Sequence, residues 1–144
     1  MFSDAQRIFK FSGRYLLNEY FDINDYQSKF LEWKYVIKSY EYTDKEMTEY
    51  DGKELANVYA YLYGSKGTMV TGLWSFDRYL FNDAVETLEK SLLYMERMIQ
   101  FTAGTDVEHS LYRFLDKKNV ISIPNLGLTA IKGMKNEDYS KYDI

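Results

Sequence analysis

The chain has 144 residues, a formal net charge of −4, one histidine and no cysteine. That length suits a single domain with a core of its own. The composition excludes disulfides, zinc–thiolate sites, thiol nucleophiles and the usual multi-histidine metal sites, and the mild acidity argues against nucleic-acid binding by phosphate neutralisation.

No apolar run approaches the 18 residues of a membrane span, and MFSDAQRIFKFSG has no apolar core of a secretion signal. Aromatics make up 18% of the chain, with 15 Tyr, 9 Phe and 2 Trp, more than one small core takes up easily. Some of them are expected at contacts with other proteins, although the AT-rich codon usage of a host genome also produces such a composition.

The spacing predicts a first helix from about Asp4 to Phe21, with Ser3 and Gln6 as a capping box and Ile8, Tyr15, Leu16 and Tyr20 on one face. Ser12-Gly13 weakens its middle. A second helix follows Asn24. Its apolar residues Tyr26, Phe30, Trp33, Ile37 and Tyr40 step by four and three, as in a heptad seam. Residues 41–54 are polar and acidic and suit a loop or a solvated helix start. A third helix carries Leu55, Val58, Tyr59 and Leu62 and ends at Gly64.

The fourth and longest helix covers Ser75–Phe101, entered through Met69–Trp74. Leu73, Phe76, Leu80, Ala84, Leu88, Leu92, Met95 and Ile99 mark its inward face. A short fifth helix begins at a Thr105/Glu108 capping box and carries Val107, Leu111, Phe114 and Leu115. Beyond Asn119, Val120–Pro124 reads as extended, because proline cannot continue a helix. The expected fold is therefore all-α: a helical bundle of four main helices plus a short fifth over residues 1–118, with a partly extended C-terminal arm and polar tail over 119–144.

No motif with dependable chemistry is present. Gly64-Ser65-Lys66-Gly67-Thr68 has the residue types of a phosphate loop in the wrong order. Asp22-Ile23-Asn24-Asp25 starts like a calcium loop but lacks the later glycine and glutamate. His109 lies beside Glu108, with no nucleophile or second acid that the sequence places near it. Glu86, Glu89, Glu96, Lys90 and Arg97 read as a solvated helix face. Lys117 and Lys118 suit the end of the fifth helix, and also an acidic neighbour such as the 41–54 segment of another copy.

These readings imply a non-enzymatic protein with no catalytic residue, metal or cofactor, and no small-molecule substrate, nucleic acid or membrane partner. The expected function is protein–protein interaction or assembly, as a homo-oligomer or with a protein partner. The residue usage resembles that of a phage or mobile-element structural or connector component, in the cytoplasm of a bacterial host or on a virion. The alternative is a small inhibitor or immunity-type protein that blocks one target through an aromatic-rich helical face. The expected interface residues are Ile121, Ile123, Leu126 and Leu128 of the arm, Tyr139 and Tyr142 of the tail, and Trp74, Tyr61 and Tyr63.

Overall fold

A computed structural model describes residues 5–13, 15–43, 49–50, 53–54, 66–101, 105–132 and 140–143. The fold is α+β, which corrects the all-α bundle. Strands β1 (Arg7–Phe11) and β2 (Tyr15–Leu17) replace the first expected helix. The 3-10 turns Ile23–Tyr26 and Lys29–Leu31, followed by β3 (Tyr35–Glu41), replace the second. Two short strands follow, β4 (Glu49–Tyr50) and β5 (Lys53–Glu54), paired antiparallel. The third expected helix lies outside the described residues.

Next comes β6 (Gly67–Asp77), the longest strand, which takes in the expected entry to the fourth helix. The Asp77 carboxylate accepts the Tyr79 amide at 2.9 Å and turns the chain out of the sheet. After the 3-10 turn Arg78–Leu80, helix α1 runs from Phe81 to Phe101, inside the expected fourth helix but six residues later at its start. Helix α2 (Val107–Phe114) occupies the place of the fifth. Its N-cap is Asp106 rather than Thr105. Strands β7 (Val120–Ser122), β8 (Leu128–Lys132) and β9 (Ser140–Asp143) complete the described chain.

The chain divides into two compact units. The first comprises Met1–Lys38, Val70–Leu80 and Asn119–Ile144. It is built on a mixed four-stranded sheet in the order β1-β6-β3-β7 and a three-stranded sheet in the order β2-β8-β9. Tyr35, Val36 and Ile37 are a continuous apolar run at the heart of the larger sheet and are completely buried. Such a run of aromatic and β-branched residues is what a strand buried on both faces requires. Tyr35, Trp74 and Phe76 pack their rings together there, with centroids 5.5–6.2 Å apart. A second cluster joins Leu73, Leu126 and Leu128, with Tyr15, Phe21, Val70 and Ile123 against it.

The second unit comprises Ser39–Met69 and Phe81–Lys118. Its core is the packing of α1 on α2. Ala84, Thr87 and Ser91 of α1 and His109, Ser110, Leu111 and Tyr112 of α2 are buried. Small side chains let the two backbones approach closely. The two serine hydroxyls tolerate burial because each finds a carbonyl one turn back: Ser91 Oγ donates to Thr87 O and Ser110 Oγ to Asp106 O, both at 2.8 Å. The far end is closed by Tyr94, edge-on to Phe114 and beneath the Arg113 guanidinium. Among the described residues no helix is long and apolar enough to cross a membrane.

Candidate protein interface

The inward face of α1 leaves another face uncovered. Phe81, Val85, Leu92 and Ile99 are 39–67% exposed, and Leu88 and Met95 between them are half-buried. Together the six step along the helix by 4, 3, 4, 3 and 4, a heptad seam about 27 Å long. Phe76 and Leu80 of the expected apolar face are buried, while Leu92 and Ile99 look outward. Exposed apolar residues strung along one helix face are a candidate contact site. The charges alongside it form a solvated pair, Lys90 to Glu86 at 2.5 Å.

The first unit carries a second exposed apolar group. Phe30 is 89% exposed on a turn capped by the Ser28 side chain. Trp33 stands at φ 58, a backbone conformation rarely adopted by a bulky residue. Its ring stacks on Tyr79 at 5.0 Å, and Tyr79 is held in turn by Arg78, which lies over the ring and donates to its hydroxyl at 2.9 Å.

In the second unit, two polar chains surround α2. His109 Nδ1 lies 2.6 Å from Asp106 Oδ1, and His109 Nε2 lies 2.7 Å from the Tyr42 hydroxyl. With the carboxylate accepting from Nδ1–H, Nε2 is left to accept the phenol proton. The same Asp106 oxygen accepts the His109 amide at 2.9 Å, so one carboxylate both caps α2 and orients the imidazole. This carboxylate–imidazole–phenol relay was not legible as a site. The Asp-x-x-His spacing of an N-cap was its only local signal, and Tyr42 comes from β3's end, 67 residues away. The other chain runs from Tyr112, which donates to Glu41 at 2.5 Å, to Lys117, which closes the end of α2 on the carbonyls of Tyr112 and Leu115. Burial, and then the Glu41 carboxylate, push the Tyr112 phenol up to about 12. The Lys117 ammonium donates to main-chain carbonyls, and the Glu41 carboxylate acts on its charge through space. Among the described residues no group of three or more acidic or histidine side chains could hold a metal ion.

Half-burial pushes the Asp106 carboxyl up, but hydrogen bonds from the His109 ring and amide outweigh it and hold the group below its ordinary value of 3.8. A depressed carboxylate stabilises the fold above its unfolded value, and that contribution is lost as pH falls through the folded one. Asp106→Asn keeps the cap but removes the charge beside His109. Its thermal midpoint is expected below that of the wild type near neutrality, with the gap closing in acid. Asp106→Ala also loses the cap, costing about 1 kcal/mol. Melting curves across the acid range check both; a gap that stays constant with pH would refute the linkage.

The residues expected at an interface fall in several places. Trp74, Leu126 and Leu128 are core positions of the first unit. Ile123 packs against that core, and Ile121 is 37% exposed on β7. Tyr142 belongs to β9, opposite Ala130. Tyr61, Tyr63 and Tyr139 lie outside the described residues. The outward stripe of α1 and the Phe30–Trp33–Tyr79 surface were not expected as contact sites. Comparison with protein families, curated proteins and solved structures finds no match to this chain.

Proposed function

We propose that this protein is a non-enzymatic assembly subunit whose partner packs a helix along the outward stripe of α1. The heptad seam from Phe81 to Ile99 supports this reading, because an apolar period of 3.5 fits another helix better than any other surface. Its aromatic-rich composition suits a connector or structural component of a phage or mobile element, in a bacterial cytoplasm or on a virion. The Phe30–Trp33–Tyr79 surface favours a second reading, an inhibitor or immunity-type protein, since Trp, Tyr and Arg dominate binding hot spots.

Solution mass by size exclusion with light scattering separates the two. The assembly reading expects a mass above the monomer that rises with concentration. Leu92→Glu with Ile99→Glu is expected to lower it, with the melting midpoint nearly unchanged because both side chains already face solvent. The same mass for wild type and double variant, at every concentration, would remove self-assembly through α1. A strict monomer would then leave the inhibitor reading, or a subunit whose helix partner is a different protein.

A further inference from the structure

The larger sheet of the first unit has two edges, and they are built differently. On one side β7 is three residues long and Pro124 follows closely, which leaves little to pair with. On the other side β1 is five residues long and contains no proline.

The outward main-chain groups of β1 follow from its pairing with β6. Gln6 O accepts the Arg78 amide and Ser12 N donates to Gly72 O. The antiparallel register runs from Arg7 opposite Asp77 to Phe11 opposite Leu73. Residues 6, 8, 10 and 12 therefore occupy the hydrogen-bonded positions facing β6. The amides and carbonyls of Arg7, Phe9 and Phe11 point away from it.

Charge does not guard this edge. Lysine is a common protection for an open strand. Here Lys10 Nζ turns back onto Thr71 O at 2.7 Å. The Arg7 guanidinium donates to the carbonyls of Leu31 and Lys34. The remaining side chains here are aromatic: Phe11 is 46% exposed, and Phe9 is 37% exposed with its ring edge-on to Tyr26.

We propose that β1 is a strand-pairing edge whose occupant is β1 of a second copy, antiparallel and centred on Phe9. The sequence Arg7-Ile8-Phe9-Lys10-Phe11 tolerates being laid against itself. About a two-fold axis at Phe9, each Arg7 meets a Phe11, each Ile8 meets a Lys10, and Phe9 meets Phe9. No like charges oppose each other, and an aromatic pair sits at the centre. The three outward residues of each strand form about six main-chain hydrogen bonds across the axis. The result is one continuous sheet through two copies, with an isologous interface that closes as a dimer. This contact is on a different unit from α1 and stands whether or not the helix stripe is used.

The absence of cysteine makes the register directly readable. At the central hydrogen-bonded pair the two Cα atoms would lie about 5.5 Å apart, within disulfide range. Phe9→Cys is expected to shift most of the chain to dimer mass on a non-reducing gel after mild oxidation. Lys10→Cys is expected to remain monomeric, since residue 10 meets residue 8 of the other copy. Lys10→Cys mixed with Ile8→Cys is expected to cross-link. Yields at 9 and 10 that are equal, or no cross-link at 9, would overturn the proposal. Phe9→Lys and Phe9→Glu, each combined with Leu92→Glu and Ile99→Glu to silence the helix stripe, supply a second measurement: each alone is expected to be monomeric, and their mixture dimeric. A mixture that stays monomeric would also overturn it. Cross-linking of Phe9→Cys is expected to survive Leu92→Glu with Ile99→Glu, so failure of the helix reading and failure of the strand reading give different results.

Discussion

Trp74→Ala is expected to lower stability by about 3–5 kcal/mol, the usual cost of emptying a buried aromatic site. The indole is almost fully buried on β6, the strand between β1 and β3. Its ring centroid lies 5.5 Å from Phe76 and 6.2 Å from Tyr35. Neither neighbour can collapse into the space, because each is itself fixed on a hydrogen-bonded strand. Against a typical total of about 5–15 kcal/mol, that loss removes a large share of the stability. The thermal midpoint should fall on the order of 10–20 °C. Only two tryptophans are present. Trp33→Phe leaves Trp74 as the sole emitter, with blue-shifted fluorescence that moves red on unfolding. Trp74→Phe leaves the exposed Trp33, red-shifted throughout. Identical emission from the two single-tryptophan chains would contradict the burial of Trp74.

Gly127→Ala is the second large effect. Gly127 has φ +65, the left-handed region that an L side chain enters at a cost of about 1–2 kcal/mol. A Cβ there would fall 2.3 Å from the Phe21 amide nitrogen and 2.4 Å from its Cα. Both are backbone atoms, and the loop holding them is tied on each side. The Gly127 amide donates to Asn125 Oδ1 at 2.8 Å, and its carbonyl accepts the Asn18 amide at 3.0 Å. Relief would have to displace Leu126 or Leu128, both fully buried. The expected loss is on the order of 3 kcal/mol or more. Gly13→Ala is the control, since nothing lies within 4 Å of the Cβ it would add. Equal melting midpoints for the two variants would refute this account.

The helices were the legible part of the fold. Phe81–Phe101 is long and amphipathic and contains neither glycine nor proline, and α2 announces itself through acidic residues at its start. A helix closes its hydrogen bonds within a few residues, so its signal is local. The strands are hidden in the sequence for a specific reason. In a chain with 46% hydrophobic residues, steps of three and four are easily satisfied by chance. Tyr26, Phe30, Trp33, Ile37 and Tyr40 have heptad spacing, yet Tyr26 and Ile37 are buried while Phe30, Trp33 and Tyr40 are exposed. The unbroken run Tyr35-Val36-Ile37 was the competing β signal.

Of the candidate interface, the apolar residues of α1 were visible and their direction was not. Local residue order and composition are enough for a helix with an apolar stripe through Leu88, Leu92 and Ile99, for the lack of any thiol, and for an extended Val120–Ser122. Tertiary packing set the rest: Thr87 and Ser91 turn inward beside Ala84, Arg7 sits opposite Asp77, and Tyr42 reaches His109. Those choices are set by residues far apart in the chain. A buried hydroxyl stripe is acceptable only when another helix packs closely against it. A strand exists only once its partner supplies the other half of every hydrogen bond.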